Sequence, residues 1–304
     1  MSRSSESGLA TGLRDAGFRG NLRPECPLAP YTTWRIGGPA ELLARPADRE
    51  DLLLAVAWAE AQGVRWRILG NGSNLLVRDE GVRGLVIRTR KVLDDVSHDD
   101  RRLIAGAGAA FPAVARRAAG LGLSGLEFGA GIPGTIGGAI VMNAGWHEYE
   151  IGNVVESVEF LEPDATVRRF DHDGCGFGYR RSRLRGRPGV LLGATLSLEP
   201  GDAATIGARL EHYAASRKTN QPTDLPSCGS VFLKPEGDFA GRLIEQAGLK
   251  GLRVGQLQVS PKHANFFVNL GRGTAVDALA LVERVECEVL SGFGVRLVRE
   301  FEVW

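Results

Sequence analysis

Two glycine-dense loops in this 304-residue chain have the composition and spacing for chemistry: Gly70-Asn71-Gly72-Ser73-Asn74, and Gly129 to Gly138 within a longer tract ending at Gly145. Glycine lets a backbone adopt positive φ and approach a ligand with no Cβ in the way. Successive free N–H groups in such loops form a concave anion site, which suits a diphosphate. The second loop contains Gly129-Ala130-Gly131-Ile132-Pro133-Gly134, a formal GxGxxG match. Its context argues against a Rossmann site, because no clear strand leads into it, and Pro133 with Gly137 and Gly138 is expected to prevent a helix from opening there. The competing reading of either loop alone is a turn between short strands. The pair, at corresponding places in two strand-rich blocks, points to one shared ligand.

Other chemistries lack their residues. No lysine follows either loop as in a P-loop, no HExxH or paired CxxC signature suggests a metal, and no GxSxG surrounds a serine. Cys26, Cys175, Cys228 and Cys287 lie far apart, which fits free thiols in a reducing cytoplasm. The longest purely apolar run, Leu52 to Ala59, is too short to span a membrane, and the polar N-terminus has no export signature. With 37 basic and 36 acidic side chains, bulk attraction to nucleic acid or a membrane surface is not expected, and small-molecule partners are favoured. The 41 glycines are nearly double the roughly 21 of average usage, while 43% hydrophobic content predicts a folded protein of two or three domains.

The elements that must position these loops follow from local pattern. Asp48 as N-cap, the apolar set Leu52, Leu53, Val56 and Ala57, and Gly63 as stop predict a helix over 48–62. Strands are expected at 64–69, 75–77, 84–88, 102–107, 154–161, 166–171, 190–198 and 265–268, with a last one from Val295. Further helices are expected at 112–121, 203–217, 239–247 and 276–290. Residues 1–20 are small and polar and are expected to fray. The mixture predicts an α+β protein with a boundary near residue 200.

The chain resembles the UDP-N-acetylenolpyruvoylglucosamine reductase family of bacterial flavoenzymes, from about residue 28 to the C-terminus. The resemblance rests on Thr32-Thr33-Trp34-Arg35-Ile36-Gly37-Gly38, Leu69 to Leu76, Gly131 to Gly138 and Met142-Asn143-Ala144-Gly145. It continues through Tyr179-Arg180-Arg181-Ser182, Gly229-Ser230-Val231-Phe232, Ala247 to Gly251 and Lys262-His263-Ala264-Asn265-Phe266. It implies an FAD-binding region in two parts, of the vanillyl-alcohol-oxidase (PCMH) type, at 21–92 and 93–200, and an α+β substrate-binding domain at 201–304. The spacing after Tyr179 is similar to the family's shorter subtype.

The resemblance also implies the site. FAD, bound non-covalently, would be held by Arg35, by Gly70, Asn71, Gly72, Ser73, Asn74 and Leu75, and by Gly131, Ile132, Gly134, Thr135, Gly137 and Gly138. NADPH would be the co-substrate. Arg180 would stabilise charge on the substrate carboxylate, Ser230 would donate a proton, and Glu300 would assist the enol form. Tyr179, Lys234, Lys262, His263 and Asn265 would contact a sugar nucleotide. No metal, nucleic acid or membrane partner is implied, and a cytoplasmic monomer is expected.

Without the family, these residues read more plainly. Arg180 is one of five arginines within 180–187, a pattern typical of a solvated loop, Ser230 is a turn residue, and Glu300 is a strand-face charge near a similar Glu302. His263 reads as structural and Cys228 as a buried thiol. Leu233-Lys234-Pro235 and Trp146-His147-Glu148-Tyr149 depart from the family's usual residues, which leaves open how the substrate is clamped. A sugar or hydroxy-acid oxidase of the same fold is the rival enzyme, and a nucleotide-binding module without turnover is the rival outside catalysis.

Overall fold

The computed structural model describes residues 8–304. The chain forms two compact units. Of the described residues, the first holds 8–26, Glu41–Asn71 and Arg83–Ala215, and the second holds Pro27–Ala40, Gly72–Val82 and Ser216–Trp304.

The first unit is built on two sheets. One runs in the order Asn21–Pro27, Pro39–Arg45, Val82–Arg88, Trp66–Leu69, and its last two strands are parallel. The other is antiparallel, in the order Val167–Asp171, Val155–Leu161, Val190–Ser197, Arg102–Gly106, Val96–Asp99. Helix Arg49–Ala61 starts where expected, since the Asp48 side chain accepts from the Asp51 N–H. It buries Leu52, Ala55, Val56 and Ala59, an apolar stripe at helical spacing. Asp51 is also buried, and its carboxylate accepts the N–H groups of Arg19, Gly20 and Ala47, each at 2.8 Å. Three charge-assisted bonds satisfy a group that would be costly to bury alone.

Two expectations are corrected here. Residues 8–20 do not fray: helix Gly8–Asp15 buries Ala10 and Leu13, and Phe18 joins the same core. The rest of that expectation, residues 1–7, lies outside the described residues. The second glycine tract does open a helix, Ile136–Val141. Thr135 caps it, accepting from the Gly138 N–H at 3.3 Å, and the Ile136 and Gly137 N–H groups donate to the Ala109 and Ala107 carbonyls at 2.9 and 2.8 Å. A cap and tertiary acceptors outweigh the low propensity of two glycines.

The second unit packs helices Ala240–Gln246 and Ala275–Phe293 with an antiparallel sheet ordered Ser227–Ser230, Phe266–Asn269, Leu257–Val259, Arg253–Val254. Thr274 and Asp277 form a capping box, and Asp79 accepts the Ala275 and Val276 N–H groups at 2.9 and 3.1 Å. The two early segments of this unit are integral to it. Leu75 and Leu76 pair in parallel with Glu302 and Val303, and the buried Trp34 ring meets Phe301 edge-on at 5.6 Å. The division between the units falls inside helix Ala203–Asn220, and the expected strand from Val295 is confined to Glu302–Val303. Among the described residues, no helix is long and apolar enough to cross a membrane.

Candidate active site

The glycine loops provide the first part of the site. Gly70 faces the second loop closely enough that a Cβ on it would lie 2.8 Å from Thr135 Oγ1, so the two glycine motifs meet within the first unit. Asn71 Oδ1 accepts from Arg90 Nη1 at 2.9 Å. Gly72 has φ +60°, and a Cβ there would lie within contact distance of the Tyr31 carbonyl, so only glycine fits. The N–H groups of Asn71, Gly72 and Ser73 have no acceptor among the described residues. A loop backbone with unspent N–H donors suits an anionic group such as a diphosphate. Arg35 is exposed, with φ +57°, a conformation costly for a residue with a Cβ. Leu75 is buried in its short parallel ladder.

The first unit also carries Arg180, directly after the half-exposed Tyr179. Its Nη2 donates to the Gly145 carbonyl at 2.9 Å and its Nη1 to the Asn143 carbonyl at 3.4 Å, while its Cζ lies 5.2 Å from the centre of the Tyr179 ring. The head group is therefore held by the end of the second glycine tract and is not free in a solvated arginine loop.

In the second unit, Ser230 ends its strand and Glu300 lies beside it. The Glu300 N–H donates to the Val231 carbonyl at 2.9 Å, and Asn74 Nδ2 donates to the Glu300 carbonyl at 3.2 Å. Burial first, and then the negative charge of Glu300, push the Cys228 thiol up, which suits an inert buried cysteine. Lys234 places Nζ 4.5 Å from the centre of the exposed Phe239 ring, a cation–π contact. Lys262 donates its Nζ to the Lys218 carbonyl at 2.7 Å.

The last motif is occupied by structural contacts. Asn265 is buried and its amide is spent on the Phe232 backbone. His263 Nδ1 accepts the Asn265 N–H at 3.2 Å, the ring packs edge-on against Phe266 at 4.8 Å, and burial lowers its pKa. Both residues hold the strand next to Ser230 in place. The sequence reading left Asn143 and Glu150 without roles. Asn143 stands in the Met142-Asn143-Ala144-Gly145 motif, its only signal in the sequence, and takes φ +45°, a conformation in which Asn is enriched. Glu150 had none.

Comparison with known proteins decides the family. Residues 221–304 match the model of the UDP-N-acetylenolpyruvoylglucosamine reductase C-terminal domain, and residues 40–171 match an FAD binding domain model. The UDP-N-acetylenolpyruvoylglucosamine reductase of Rubrobacter xylanophilus is 49% identical over 278 residues, covering 91% of this chain and 93% of that protein. The chain belongs to the UDP-N-acetylenolpyruvoylglucosamine reductase family. The reductase of Heliobacterium modesticaldum is 44% identical over 94% of this chain and 91% of its own length. The crystal structure of the family's enzyme from Thermus caldophilus superposes with a TM-score of 0.79 at 39% identity, over 94% of this chain and 99% of that one. Membership explains why a GxGxxG match sits in a fold with no Rossmann unit. The reductase family's layout, an FAD-binding region followed by an α+β C-terminal domain, agrees with the expected fold class.

Proposed function

We propose that this chain is an NADPH-dependent reductase that converts UDP-N-acetylglucosamine enolpyruvate to UDP-N-acetylmuramate in bacterial peptidoglycan precursor synthesis. The observation that carries this reading is the identity to named reductases across more than nine-tenths of both chains. The supply of NADPH and sugar nucleotide favours a cytoplasmic location.

FAD, when bound, would supply the chemistry of hydride transfer from NADPH to the enolpyruvyl β-carbon. What the chain must add is placement, charge and a proton. Addition at the β-carbon drives electrons toward the α-carbon and its carboxylate. Arg180, permanently charged and fixed against two carbonyls, stabilises that growing negative charge more than it stabilises the ground state. A serine hydroxyl is a weak acid, so Ser230 delivers a proton to the α-carbon only if it is held close to that strongly basic centre. The backbone tie between Val231 and Glu300 supports that placement. Glu300, beside Ser230, assists by hydrogen bonding to the enol form. Gly70 to Leu75 and Gly131 to Gly138, with Arg35, hold FAD, and Tyr179, Lys234 and Lys262 orient the sugar nucleotide.

The test is purification followed by a stoichiometric assay. The protein should retain FAD, and one NADPH should be oxidised per enolpyruvyl sugar nucleotide consumed. NADPH oxidation that ignores this substrate overturns the reading.

A further inference from the structure

Glu150 lies on the return strand of the hairpin formed by Gly145–Trp146 and Tyr149–Glu150, directly opposite Gly145. This hairpin contains the Trp146-His147-Glu148-Tyr149 stretch. It is anchored by aromatic packing: the Tyr149 ring stacks on Phe128 at 6.2 Å and meets Tyr213 edge-on at 6.2 Å. The carboxylate it presents is therefore held by a braced turn.

The two carboxylate oxygens have different neighbours. Oε2 accepts from Asn143 Nδ2 at 2.7 Å, and Oε1 stands 3.9 Å from Arg180 Nη1. Asn143 ties the group together further, donating to the Gly178 carbonyl at 3.0 Å and accepting the Gly152 N–H at 2.9 Å. One buried amide thus joins both ends of the hairpin segment to the turn that carries Arg180. Asn143 and Arg180 both have positive φ, +45° and +53°, so strained backbone occurs on each side of the guanidinium. The Glu150 and Arg180 side chains are only 25% and 20% exposed, so water screens their attraction less than it would on an open surface.

We propose that Glu150, locked by Asn143, is a positioning residue for Arg180. A close bidentate pair would occupy the donor edge of the guanidinium. A carboxylate offset to 3.9 Å instead pulls the head group into one orientation by charge, while the carbonyls of Asn143 and Gly145 receive its hydrogen bonds. A second carboxylate, that of the substrate, then meets a cation already aligned. This inference rests on the reading that Arg180 receives the substrate carboxylate.

The experiment uses the FAD-loaded full chain with Glu150→Gln and Glu150→Ala. Gln keeps an acceptor for Asn143 and removes the charge, whereas Ala removes both. In rapid-mixing measurements, both variants should reduce flavin with NADPH at the parent rate. Reoxidation by the enolpyruvyl sugar nucleotide should slow about tenfold in the Gln variant and more in the Ala variant, in kcat more than in KM. Melting of the Gln variant should match the parent. A nitrogen NMR measurement of guanidinium rotation gives a readout independent of turnover: the Arg180 head group should rotate slowly in the parent and faster in the Gln variant. Unchanged reoxidation or unchanged rotation overturns the proposal, as does equal slowing of both half-reactions with loss of stability. A parent that turns over no enolpyruvyl substrate overturns the functional reading instead, and the rotation measurement still decides the role of Glu150.

Discussion

The side-chain amide of Asn265 pairs with both backbone groups of Phe232, accepting its N–H at 3.0 Å and donating to its carbonyl at 2.8 Å. The Val231 N–H donates in turn to the Asn265 carbonyl at 2.8 Å, so one residue fixes the chain directly after Ser230. Truncation would leave two buried backbone groups unpaired, each costing about 1–3 kcal/mol. Asn265→Ala should therefore lower unfolding free energy by about 2–5 kcal/mol. Asn265→Asp should also destabilise, because a carboxylate cannot donate to the Phe232 carbonyl. Urea unfolding is the measurement, and an unchanged midpoint for Asn265→Ala would show that this pairing adds nothing to stability.

Gly70→Ala tests the meeting of the two glycine loops. The new methyl would lie 2.8 Å from Thr135 Oγ1, inside van der Waals contact, so either the Thr135 side chain turns away from its cap on the Gly138 N–H or one loop shifts. The variant should fold but purify with less FAD, its affinity falling about five- to 150-fold for a loss of roughly 1–3 kcal/mol. Flavin absorbance per protein reads the result, and full flavin content would separate this contact from cofactor binding.

What the sequence disclosed depended on how local the cause was. The Arg49–Ala61 helix was legible because its cap, apolar stripe and glycine stop all lie within the segment. The helix Ile136–Val141 was not, because it depends on the Ala107 and Ala109 carbonyls, which lie outside it. The membership of 27–40 and 72–82 in the C-terminal unit was equally hidden. A two-residue parallel ladder from Leu75–Leu76 to Glu302–Val303 leaves no periodic trace. At the site, Arg180 and Ser230 were visible only through their motif, since an arginine run and a lone serine carry no chemistry by spacing. Asn265 and His263 shared a motif with Lys262, and motif alone could not separate holding a strand from touching a ligand.

Ser230→Ala tests the proton donor apart from the cofactor. Removing the hydroxyl should leave flavin reduction by NADPH largely intact and slow flavin reoxidation by the enolpyruvyl sugar nucleotide about a hundredfold or more, the usual scale for a positioned acid. Glu300→Gln should slow the same half-reaction. Rapid mixing resolves the two steps, and equal loss in both would remove Ser230 from the proton-transfer role.

His263 predicts the acid side of the stability curve. Burial is the largest influence and lowers its pKa, with Lys250 acting in the same direction, while its own backbone and Glu245 act against them. Its Nδ1 accepts the Asn265 N–H, and an imidazolium would turn that contact into donor against donor. The folded state thus favours the neutral ring, whereas the unfolded chain takes up a proton near pH 6.5. Between the two pKa values the unfolded state binds more protons, so stability rises with pH in that window. The contribution is complete above about pH 6.5 and is lost as the pH falls through the lowered folded value. His263→Gln should flatten the part of the melting-temperature profile below about pH 6.5 that this group supplies. Parallel profiles for parent and variant across that range would show that another group governs the acid limb.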